Sequence, residues 1–352
     1  MKIIYIASSQ SIHSLRWIKF FSLKNNIIWI TICDPNKETL NEFNEIKKIV
    51  KIYNIRKRKD FLDVISILLL EPYSFVHIHY LGWHSLLTLI MRPNAKLILT
   101  PWGSDLLLRK NPLKKIWLNF LFRKSKFTIC DSERLKKISI KYGAKKNNIL
   151  VSMFGIDTNI YKSSENIFSN KDRVYVGSNR KLEEIYDIFT LLKSAKSICK
   201  KRKDIIFLIA GNGSLSEKVK AFIEKEKLNK NIFLLGLLNK NEMINFYNSI
   251  DIYVSTSLSD GGLSSSIAEA MSFERVVVVT NNSDNSLWIK DQKNGYLFDN
   301  KNSQRLQELI EKISANKEKN KKIAKSAREI IENKYSYNKE MKKVEEIYKM
   351  HK

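Results

Sequence analysis

The sequence predicts an α/β protein made of two Rossmann-like domains. Short apolar runs alternate with stretches in which apolar residues recur at helical spacing, and the runs fall into two series. The length of 352 residues also exceeds what one hydrophobic core usually serves. Strands that alternate with helices form parallel sheets covered on both faces, and such sheets bind ligands at the carboxyl ends of their strands.

Ten apolar runs are interpreted as strands, and helical patterns fill most of the gaps between them. The first series comprises residues 3–7, 27–32, 75–79, 96–100 and 127–130. The second series comprises residues 174–177, 205–210, 232–235, 252–255 and 276–280.

A polar stretch at 161–173, rich in Ser, Asn and Lys, separates the two series and is typical of a linker. We therefore expect a first domain at 1–165, a second at 166–335 and a C-terminal helix at 336–352. From Ser303 onward the apolar residues keep helical spacing, which predicts a tail that packs one stripe against the body of the protein.

Residues 72–91 contain no Lys, Arg, Asp or Glu over about the length of a membrane span. Three histidines, a central Gly82 and a β-branched and aromatic first half instead favour a buried strand, a turn and a buried helix.

The chain is strongly basic, with 62 Lys and Arg against 36 Asp and Glu and a formal net charge of +26. Its surface should attract phosphates, nucleic acid or anionic lipid, and charge alone does not choose among them. The composition, with 43% hydrophobic and 28% charged residues, excludes a disordered, collagenous or coiled-coil protein.

Three cysteines, Cys33, Cys130 and Cys199, lack the spacing of a zinc site and are odd in number. They favour a reducing, cytoplasmic compartment. The opening residues read as a buried strand rather than a signal peptide.

The most informative segment is residues 256–271 (TSLSDGGLSSSIAEAM), a small-residue loop that opens a helix after a strand. Gly261 and Gly262 let the backbone approach a ligand, and the helix N-terminus favours a phosphate. Glu269 lies about one turn inside, where a carboxylate can accept hydrogen bonds from sugar hydroxyls. The alternative is a surface helix capped by its serines.

Read with its flanking segments, this loop resembles the motif region of the retaining GT-B glycosyltransferases of family 4, the glycosyl transferases group 1. Similar segments occur in the same order along nearly the whole chain. They are residues 11–17 (SIHSLRW), 152–161 (SMFGIDTNIY), 208–214 (LIAGNGS), 231–236 (NIFLLG), 246–255 (FYNSIDIYVS) and 294–298 (NGYLF).

The resemblance implies a GT-B fold, in which an acceptor domain and a nucleotide-sugar donor domain face each other across a cleft. It assigns Arg180 to the diphosphate leaving group and Glu269 to the donor ribose, and it names Asp260 and His13 as further catalytic candidates. A guanidinium suits a diphosphate because it stays charged and binds phosphate bidentately. The donor-binding set that it implies is Gly211, Gly213, Leu238, Gly261, Gly262, Leu263, Ser264, Ser265 and Glu269.

The sequence departs from the family pattern at three positions. Gly261 stands where the family has its first glutamate, so only the adjacent Asp260 could replace it. Tyr186 stands where the phosphate lysine is expected, and Trp102 where a histidine is expected.

On the acceptor side the resemblance points to Trp102, Asp105 and Arg16, with Asp105 equally readable as a helix N-cap. His13 lies in the exit loop of the first strand, beside Arg16, and ranks highest among the histidines. His77 and His79 alternate along a buried strand, which favours packing over ligand contact.

Residues 106–126 form a basic, aromatic segment in which Leu113, Ile116, Trp117, Phe120 and Leu121 share one helical face. Such a helix can lie in an anionic membrane interface, or it can be a core helix with solvated Lys and Arg at its edge. A second basic run, residues 56–59 (RKRK), follows Ile55 and could support contact with either a membrane or nucleic acid.

The function implied is transfer of a sugar, with retention of configuration, from a nucleotide-sugar donor to a glycan or lipid-linked acceptor in cell-envelope polysaccharide or glycoconjugate synthesis. We expect no cofactor and no metal, because the donor is a substrate and no acidic pair forms an obvious metal site. The protein is expected in the cytoplasm, either free or at the inner face of the membrane. The alternatives are a nucleic-acid-binding protein, a sugar-nucleotide epimerase and a non-catalytic GT-B partner.

Overall fold

The computed structural model describes residues 1–37, 39–107, 112–152, 155–164, 167–169, 172–260, 262, 264–282 and 284–350. The chain divides into two compact units. The first comprises residues 1–154 and 339–352, and the second comprises residues 155–338.

The first unit is built around a seven-stranded parallel sheet in the order β3-β2-β1-β4-β5-β6-β7. Its strands are β1 (Lys2–Ala7), β2 (Asn26–Thr31), β3 (Lys51–Asn54), β4 (Phe75–His79), β5 (Leu97–Thr100), β6 (Phe127–Cys130) and β7 (Ile149–Val151). Its helices are α1 (Ile12–Ser22), α2 (Leu40–Lys47), α3 (Arg58–Leu70), α4 (Trp83–Met91), α5 (Ser104–Leu107), α6 (Pro112–Lys124) and α7 (Glu133–Lys141).

The second unit is built around a six-stranded parallel sheet in the order β10-β9-β8-β11-β12-β13. Its strands are β8 (Val174–Ser178), β9 (Ile205–Ala210), β10 (Ile232–Gly236), β11 (Ile252–Ser255), β12 (Val276–Thr280) and β13 (Tyr296–Phe298). Its helices are α8 (Ile188–Lys201), α9 (Ser216–Lys225), α10 (Lys240–Ser249), α11 (Ser265–Ser272), α12 (Asn285–Trp288), α13 (Ser303–Ala315) and α14 (Lys317–Lys334).

The predicted α/β class with two parallel Rossmann-like sheets is confirmed. Central strands such as β1 and β12 are continuous apolar runs because helices cover both faces of a parallel sheet. The segment at 72–91 forms β4, a turn and α4, as its composition predicted.

The last helix, α15 (Tyr337–Met350), returns to the first unit, whereas the sequence predicted only a tail that packs against the body of the protein. The buried Tyr348 hydroxyl lies 2.5 Å from Nδ1 of His77 and also contacts the hydroxyl of Tyr5. Helix α15 is therefore part of the first unit's core.

The boundary between the units lies earlier than the predicted 165/166, because the stretch at 161–173 is not a linker throughout. Tyr161, Ile167 and Phe168 are buried in the cores of the second unit. The backbone N–H of Phe168 also donates to the carboxylate of Asp251.

Candidate active site

Arg180 lies just beyond the end of β8, the central strand of the second sheet at which the strand order reverses. Open α/β sheets bind ligands at this position. The neighbouring strand β11 ends at Ser255, and the loop that follows it leads into α11. The segment that carries Arg180 and the segment that leads into α11 therefore meet at the carboxyl ends of two neighbouring central strands.

The guanidinium of Arg180 is held on three sides. Its Nη1 donates to Ser264 Oγ at 2.5 Å and to Ser266 Oγ at 2.9 Å, and its Nη2 donates to Asp260 Oδ1 at 2.5 Å. The guanidinium carbon also lies 4.4 Å from the centroid of the Tyr186 ring. We call these five residues the Arg180 site.

The ion pair in this site is shielded from solvent, with the Arg180 side chain 15% exposed and that of Asp260 3% exposed. Arg180 Nε and Asp260 Oδ2 are buried with no hydrogen-bond partner among the described residues. Buried polar atoms normally have partners, so these two atoms mark a place where water or a ligand would complete the site.

The N-terminus of α11 opens into the same place. Ser264 is its N-cap residue, yet the Ser264 side chain makes no capping hydrogen bond and instead accepts from Arg180. The interpretation as a serine-capped surface helix is therefore not supported at Ser264. Helix N-termini whose N–H groups are not capped attract anions.

Glu269 lies on α11 within a network of aromatic hydroxyls. Tyr247 OH donates to Glu269 Oε2 at 2.9 Å and accepts from Asn179 Nδ2 at 2.8 Å, while Tyr253 OH donates to Asn179 Oδ1 at 2.7 Å. Burial, followed by the nearby Glu269 carboxylate, raises the pKa of Tyr247 well above its usual value. The phenol thus stays protonated and orients the carboxylate.

Two glycines of the predicted donor set allow a close backbone contact that fixes Arg180. A Cβ on Gly211 would lie 2.5 Å from the carbonyl oxygen of Arg180, and one on Gly213 would lie 2.3 Å from that of Leu182. Gly211 also has a φ of +120°, which L-residues rarely adopt. The Gly-Asn-Gly turn therefore packs against the loop that carries Arg180.

The remaining predicted donor residues take different positions. Gly262 is buried, and its N–H donates to Asp284 Oδ2 at 3.2 Å. Ser265 is the first residue of α11, and Leu238 is half-buried before α10. Gly261 and Leu263 lie outside the described residues.

A second candidate site lies in the first unit, where a cavity of about 450 Å³ opens at the carboxyl ends of its strands. It is lined by Ser8, Gln10, Ser11, His13, Ser14, Ile32, Tyr80, Trp102 and Asp131. These residues follow β1, β2, β4, β5 and β6, which includes the reversal between β1 and β4. We call it the strand-exit cavity.

His13 and Trp102 form one wall of this cavity, with their rings stacked at 5.6 Å between centroids and 27° between planes. Burial, with a smaller contribution from Arg16, lowers the pKa of His13 to about 4. The imidazole is therefore neutral at physiological pH and offers a polar but uncharged edge.

The other two predicted residues of this unit, Asp105 and Arg16, are not among those that line the cavity. Asp105 is buried in α5 and its carboxylate accepts from the N–H groups of Leu81 (2.8 Å) and Trp102 (3.0 Å), so it joins two strand-exit loops and is not an N-cap. Arg16 lies half-buried on α1 and does not line the cavity.

The expected packing of His77 and His79 is confirmed by their complete burial. His77 Nε2 lies 2.7 Å from Thr100 Oγ1, and His79 Nδ1 lies 3.0 Å from Ser14 Oγ. His84 is also buried, with Nε2 2.7 Å from the carbonyl oxygen of Tyr80.

Sequence reasoning missed Asn179, Tyr247 and Ser266 in the second unit, and the serines and Tyr80 in the first. The available signal was position, because Asn179, Ser8 and Tyr80 each directly follow a strand. Tyr80 also has a left-handed φ of 63°, a strained conformation that often occurs at functional sites.

Within the described residues, no group of three or more His, Cys, Asp or Glu side chains could hold a metal ion. No described helix is both long enough and apolar enough to cross a membrane.

Two parallel Rossmann-like units, one of which has a buried arginine beside a helix N-terminus, form the architecture of the GT-B fold. A glycosyltransferase family model matches part of each unit. Residues 2–132 match the family described as glycosyl transferase 4-like, and residues 159–330 match glycosyl transferases group 1. The chain is therefore similar to the group 1 glycosyltransferases over residues 159–330, a little under half of its length.

Among curated proteins, the chain is 30% identical over 224 residues to the poly(ribitol-phosphate) alpha-N-acetylglucosaminyltransferase of Staphylococcus aureus. This alignment covers 61% of the chain and 44% of that protein. With a second relative, an uncharacterized glycosyltransferase of Methanocaldococcus jannaschii, the alignment covers 59% of the relative. The chain thus spans about half the length of the curated relatives that it matches.

Solved structures resemble the chain over nearly its whole length. A glycosyltransferase from Rickettsia africae superposes with a TM-score of 0.82 at 19% identity, covering 99% of this chain and 98% of that one. Anabaena Alr3699/HepE in complex with UDP gives a TM-score of 0.82 at 16% identity, covering 99% and 100%. A structure of the same Anabaena protein contains UDP-glucose. At these identities the likeness shows the fold.

Proposed function

We propose that this protein transfers a sugar from a nucleotide-sugar donor to a glycan or lipid-linked acceptor, with retention of anomeric configuration, in the synthesis of a cell-envelope polysaccharide or glycoconjugate. The observation that carries the proposal is the Arg180 site, in which a buried guanidinium lies beside the N-terminus of α11 at the sheet reversal.

The donor diphosphate would bind between Arg180 and the first turn of α11. Arg180 Nε is buried without a partner, and the helix N-terminus is not capped by Ser264. A diphosphate supplies oxygens for both, and its negative charge grows as the nucleotide leaves, so the stabilisation increases toward the transition state. No metal cofactor is part of this proposal.

Asp260 takes a positioning role. Its Oδ1 accepts from Arg180 Nη2, which fixes the plane of the guanidinium, and Tyr186 stacks on the same group. Tyr186, which stands where the family pattern has a second cation, therefore packs on the cation that this chain keeps, Arg180.

Glu269 would accept hydrogen bonds from the ribose hydroxyls of the donor. Tyr247 binds one of its carboxylate oxygens, Oε2, at 2.9 Å. We propose a UDP-sugar as the first donor to test, because the Anabaena protein of the same fold is solved with UDP and UDP-glucose.

The acceptor would occupy the strand-exit cavity. Three serine hydroxyls, the neutral His13 and the ring of Trp102 give it donors, acceptors and an apolar face without an excess of positive charge. A sugar ring needs this combination, since its hydroxyls bond to polar edges while its C–H face packs on an aromatic ring.

The first experiment measures the thermal midpoint of unfolding with UDP, GDP, ADP, CMP and a short single-stranded nucleic acid. A ligand at about a hundred times its dissociation constant adds roughly 2.7 kcal/mol to the free energy of unfolding. We expect one nucleotide to raise the midpoint of the wild type and of Glu217→Ala, a control on α9, but not of Glu269→Ala. Stabilisation by nucleic acid alone would overturn the proposal.

A second experiment separates the transferase from an epimerase or a non-catalytic partner. Nucleotide release from the donor is followed with and without a candidate acceptor, and the anomeric configuration of the product is read by NMR. Acceptor-dependent release with retention supports the proposal, whereas interconversion of the donor sugar without release indicates an epimerase.

A further inference from the structure

The outer face of three adjacent helices in the first unit exposes apolar side chains to solvent. Helix α4 packs between α3 and α6, and the inner faces of all three share one hydrophobic core. Buried members of that core include Val64 and Leu68 of α3, Leu89 of α4, and Leu118 and Leu121 of α6. The opposite faces of the helices therefore point away from the sheet together.

Helix α6 shows the pattern most clearly. Leu113, Ile116 and Phe120 are 73%, 68% and 51% exposed, and their spacing of three and four residues places them along one stripe. The sequence left open whether this helix is a core helix or an interfacial one. The stripe is turned outward, which favours the interfacial reading.

The neighbouring helices continue this stripe. Leu62 and Leu69 on α3, and Trp83 and Ile90 on α4, are exposed pairs seven residues apart, which places both members on the same side of their helix. We call these four residues, together with Leu113, Ile116 and Phe120, the apolar ridge. Exposed apolar side chains gathered on adjacent helices are typical of an interaction site.

Basic side chains border the ridge. Arg58 and Lys59 begin α3, and Lys115, Arg123 and Lys124 lie exposed on α6. None of these five forms an ion pair with a described residue. Along the described parts of α3, α4 and α6, Asp63 is the one exposed acid.

We propose that the apolar ridge is a docking surface for an anionic lipid bilayer. The apolar side chains, including those of Trp83 and Phe120, would enter the boundary between headgroups and acyl chains, while the bordering Lys and Arg contact lipid phosphates. Charge complementarity favours lipid over a second copy of this basic chain, because two copies would bring like charges together.

The proposal goes beyond the transferase function and does not depend on it. The ridge lies in the first unit, whereas nucleotide binding is read at Glu269 in the second. A protein that fails to bind vesicles can therefore still bind nucleotide, and a protein that fails to bind nucleotide can still bind vesicles.

The test is co-sedimentation of the full chain with vesicles of phosphatidylcholine alone or mixed with phosphatidylglycerol. We expect binding to the mixed vesicles, weakened by salt because the surface charges are screened. The variant Leu113→Ser/Ile116→Ser/Phe120→Ser should lower the partition coefficient about tenfold or more. Leu237→Ser/Leu287→Ser, with two comparably exposed leucines of the second unit, is the matched control and should bind as the wild type does.

The basic border is tested by Lys115→Gln/Arg123→Gln/Lys124→Gln, which should weaken binding by about fivefold for each charge removed. Brominated lipid should quench tryptophan fluorescence. Trp83→Phe should reduce that quenching, because Trp83 belongs to the apolar ridge. Thermal midpoints confirm that each variant folds.

Three results would overturn the proposal. They are no binding to either vesicle, equal binding of the wild type and the apolar-ridge variant, and a wild-type dimer in light scattering that the variant abolishes without any vesicle binding by either protein. The last result would assign the ridge to a second copy of the chain.

Discussion

The two candidate sites occupy equivalent places in their sheets but differ in their chemistry. The Arg180 site is charged and tightly paired, with an ion pair whose members are 15% and 3% exposed. The strand-exit cavity is lined by hydroxyls, rings, a neutral imidazole and the carboxylate of Asp131, with no Lys or Arg among its lining residues. Both lie at the reversal of strand order, so the fold sets where each site lies and the loops set what it can bind.

This difference fits two kinds of ligand. A diphosphate needs positive charge and oriented N–H groups, and the second unit concentrates them around one arginine. A neutral sugar needs many weak, well-placed contacts, and the first unit spreads these over the ends of five strands. Removal of the Arg180 charge should accordingly have a large effect, whereas single substitutions in the lining of the strand-exit cavity should have smaller, graded effects.

The largest effect is expected for Arg180→Met. It removes the cation that we assign to the diphosphate, which should lower kcat by about 100- to 1000-fold. It also leaves the buried Asp260 carboxylate without its partner, at a cost of about 3–5 kcal/mol in the free energy of unfolding. Chemical denaturation and donor-saturated kinetics measure the two effects.

The double variant Arg180→Met/Asp260→Asn separates these contributions. It should recover most of the lost stability, because no unpaired charge stays buried, and none of the lost activity. Equal activity of the wild type and the double variant would refute the role of Arg180, and an additive loss of stability would show that the ion pair is not coupled.

Acid should destabilise the two units unequally, because residues 155–338 contain no histidine. Burial lowers the pKa of His79 to about 3 and, together with Arg16, that of His13 to about 4. In the unfolded chain these pKa values are near 6.5, so the folded state binds fewer protons and its stability falls as pH drops below about 6.5. Each such histidine contributes up to about 1.4 kcal/mol per pH unit, or roughly 3 kcal/mol by pH 4.

Hydrogen exchange between pH 7 and pH 5 measures this effect in each unit. Protection should fall earlier in the first unit, and His79→Gln should flatten the dependence there. An equal loss of protection in both units would contradict the assignment.

The sequence predicted the Arg180 site more completely than the strand-exit cavity, and the reason is physical. Glu269 lies in a segment with a strong local signature, a strand followed by small residues and a helix start, and the resemblance to the family pattern supplied Arg180 and Asp260. The cavity combines five residues of the segment after β1 with single residues after four other strands, and no local pattern reports which of them converge. Tyr247 was missed for a similar reason, since its hydroxyl reaches Glu269 from a different helix.

The strands show the same contrast between features that local sequence predicts and features that depend on tertiary contacts. Buried central strands are continuous apolar runs and were predicted within one or two residues of their ends. The strands that were missed, β3, β7 and β13, are three or four residues long, and the first two are only partly buried. Their pairing at the sheet edges therefore depends on tertiary contacts more than on local composition.

In the strand-exit cavity, Trp102→Ala should raise the KM for the acceptor about three- to tenfold, as expected for loss of an aromatic stacking surface worth about 0.5–1.5 kcal/mol. The stabilisation by donor nucleotide should not change, because that ligand is assigned to the second unit. Leu23→Ala, which removes an exposed apolar side chain of the first unit outside both the cavity lining and the apolar ridge, is the control. A weaker nucleotide response in Trp102→Ala would show that the two sites do not divide donor and acceptor as proposed.

The smallest effect is expected for Tyr247→Phe, which deletes one hydroxyl between Glu269 and Asn179. The carboxylate keeps its charge but loses an orienting donor, so nucleotide affinity should fall by a few fold, equivalent to about 1 kcal/mol. Tyr253→Phe removes a hydroxyl that bonds to Asn179 and should change affinity less. Isothermal titration with the nucleotide that stabilises the wild type measures both variants. If Tyr253→Phe weakened binding as much as Tyr247→Phe, the network would act by holding Asn179, and direct orientation of Glu269 by Tyr247 would be ruled out.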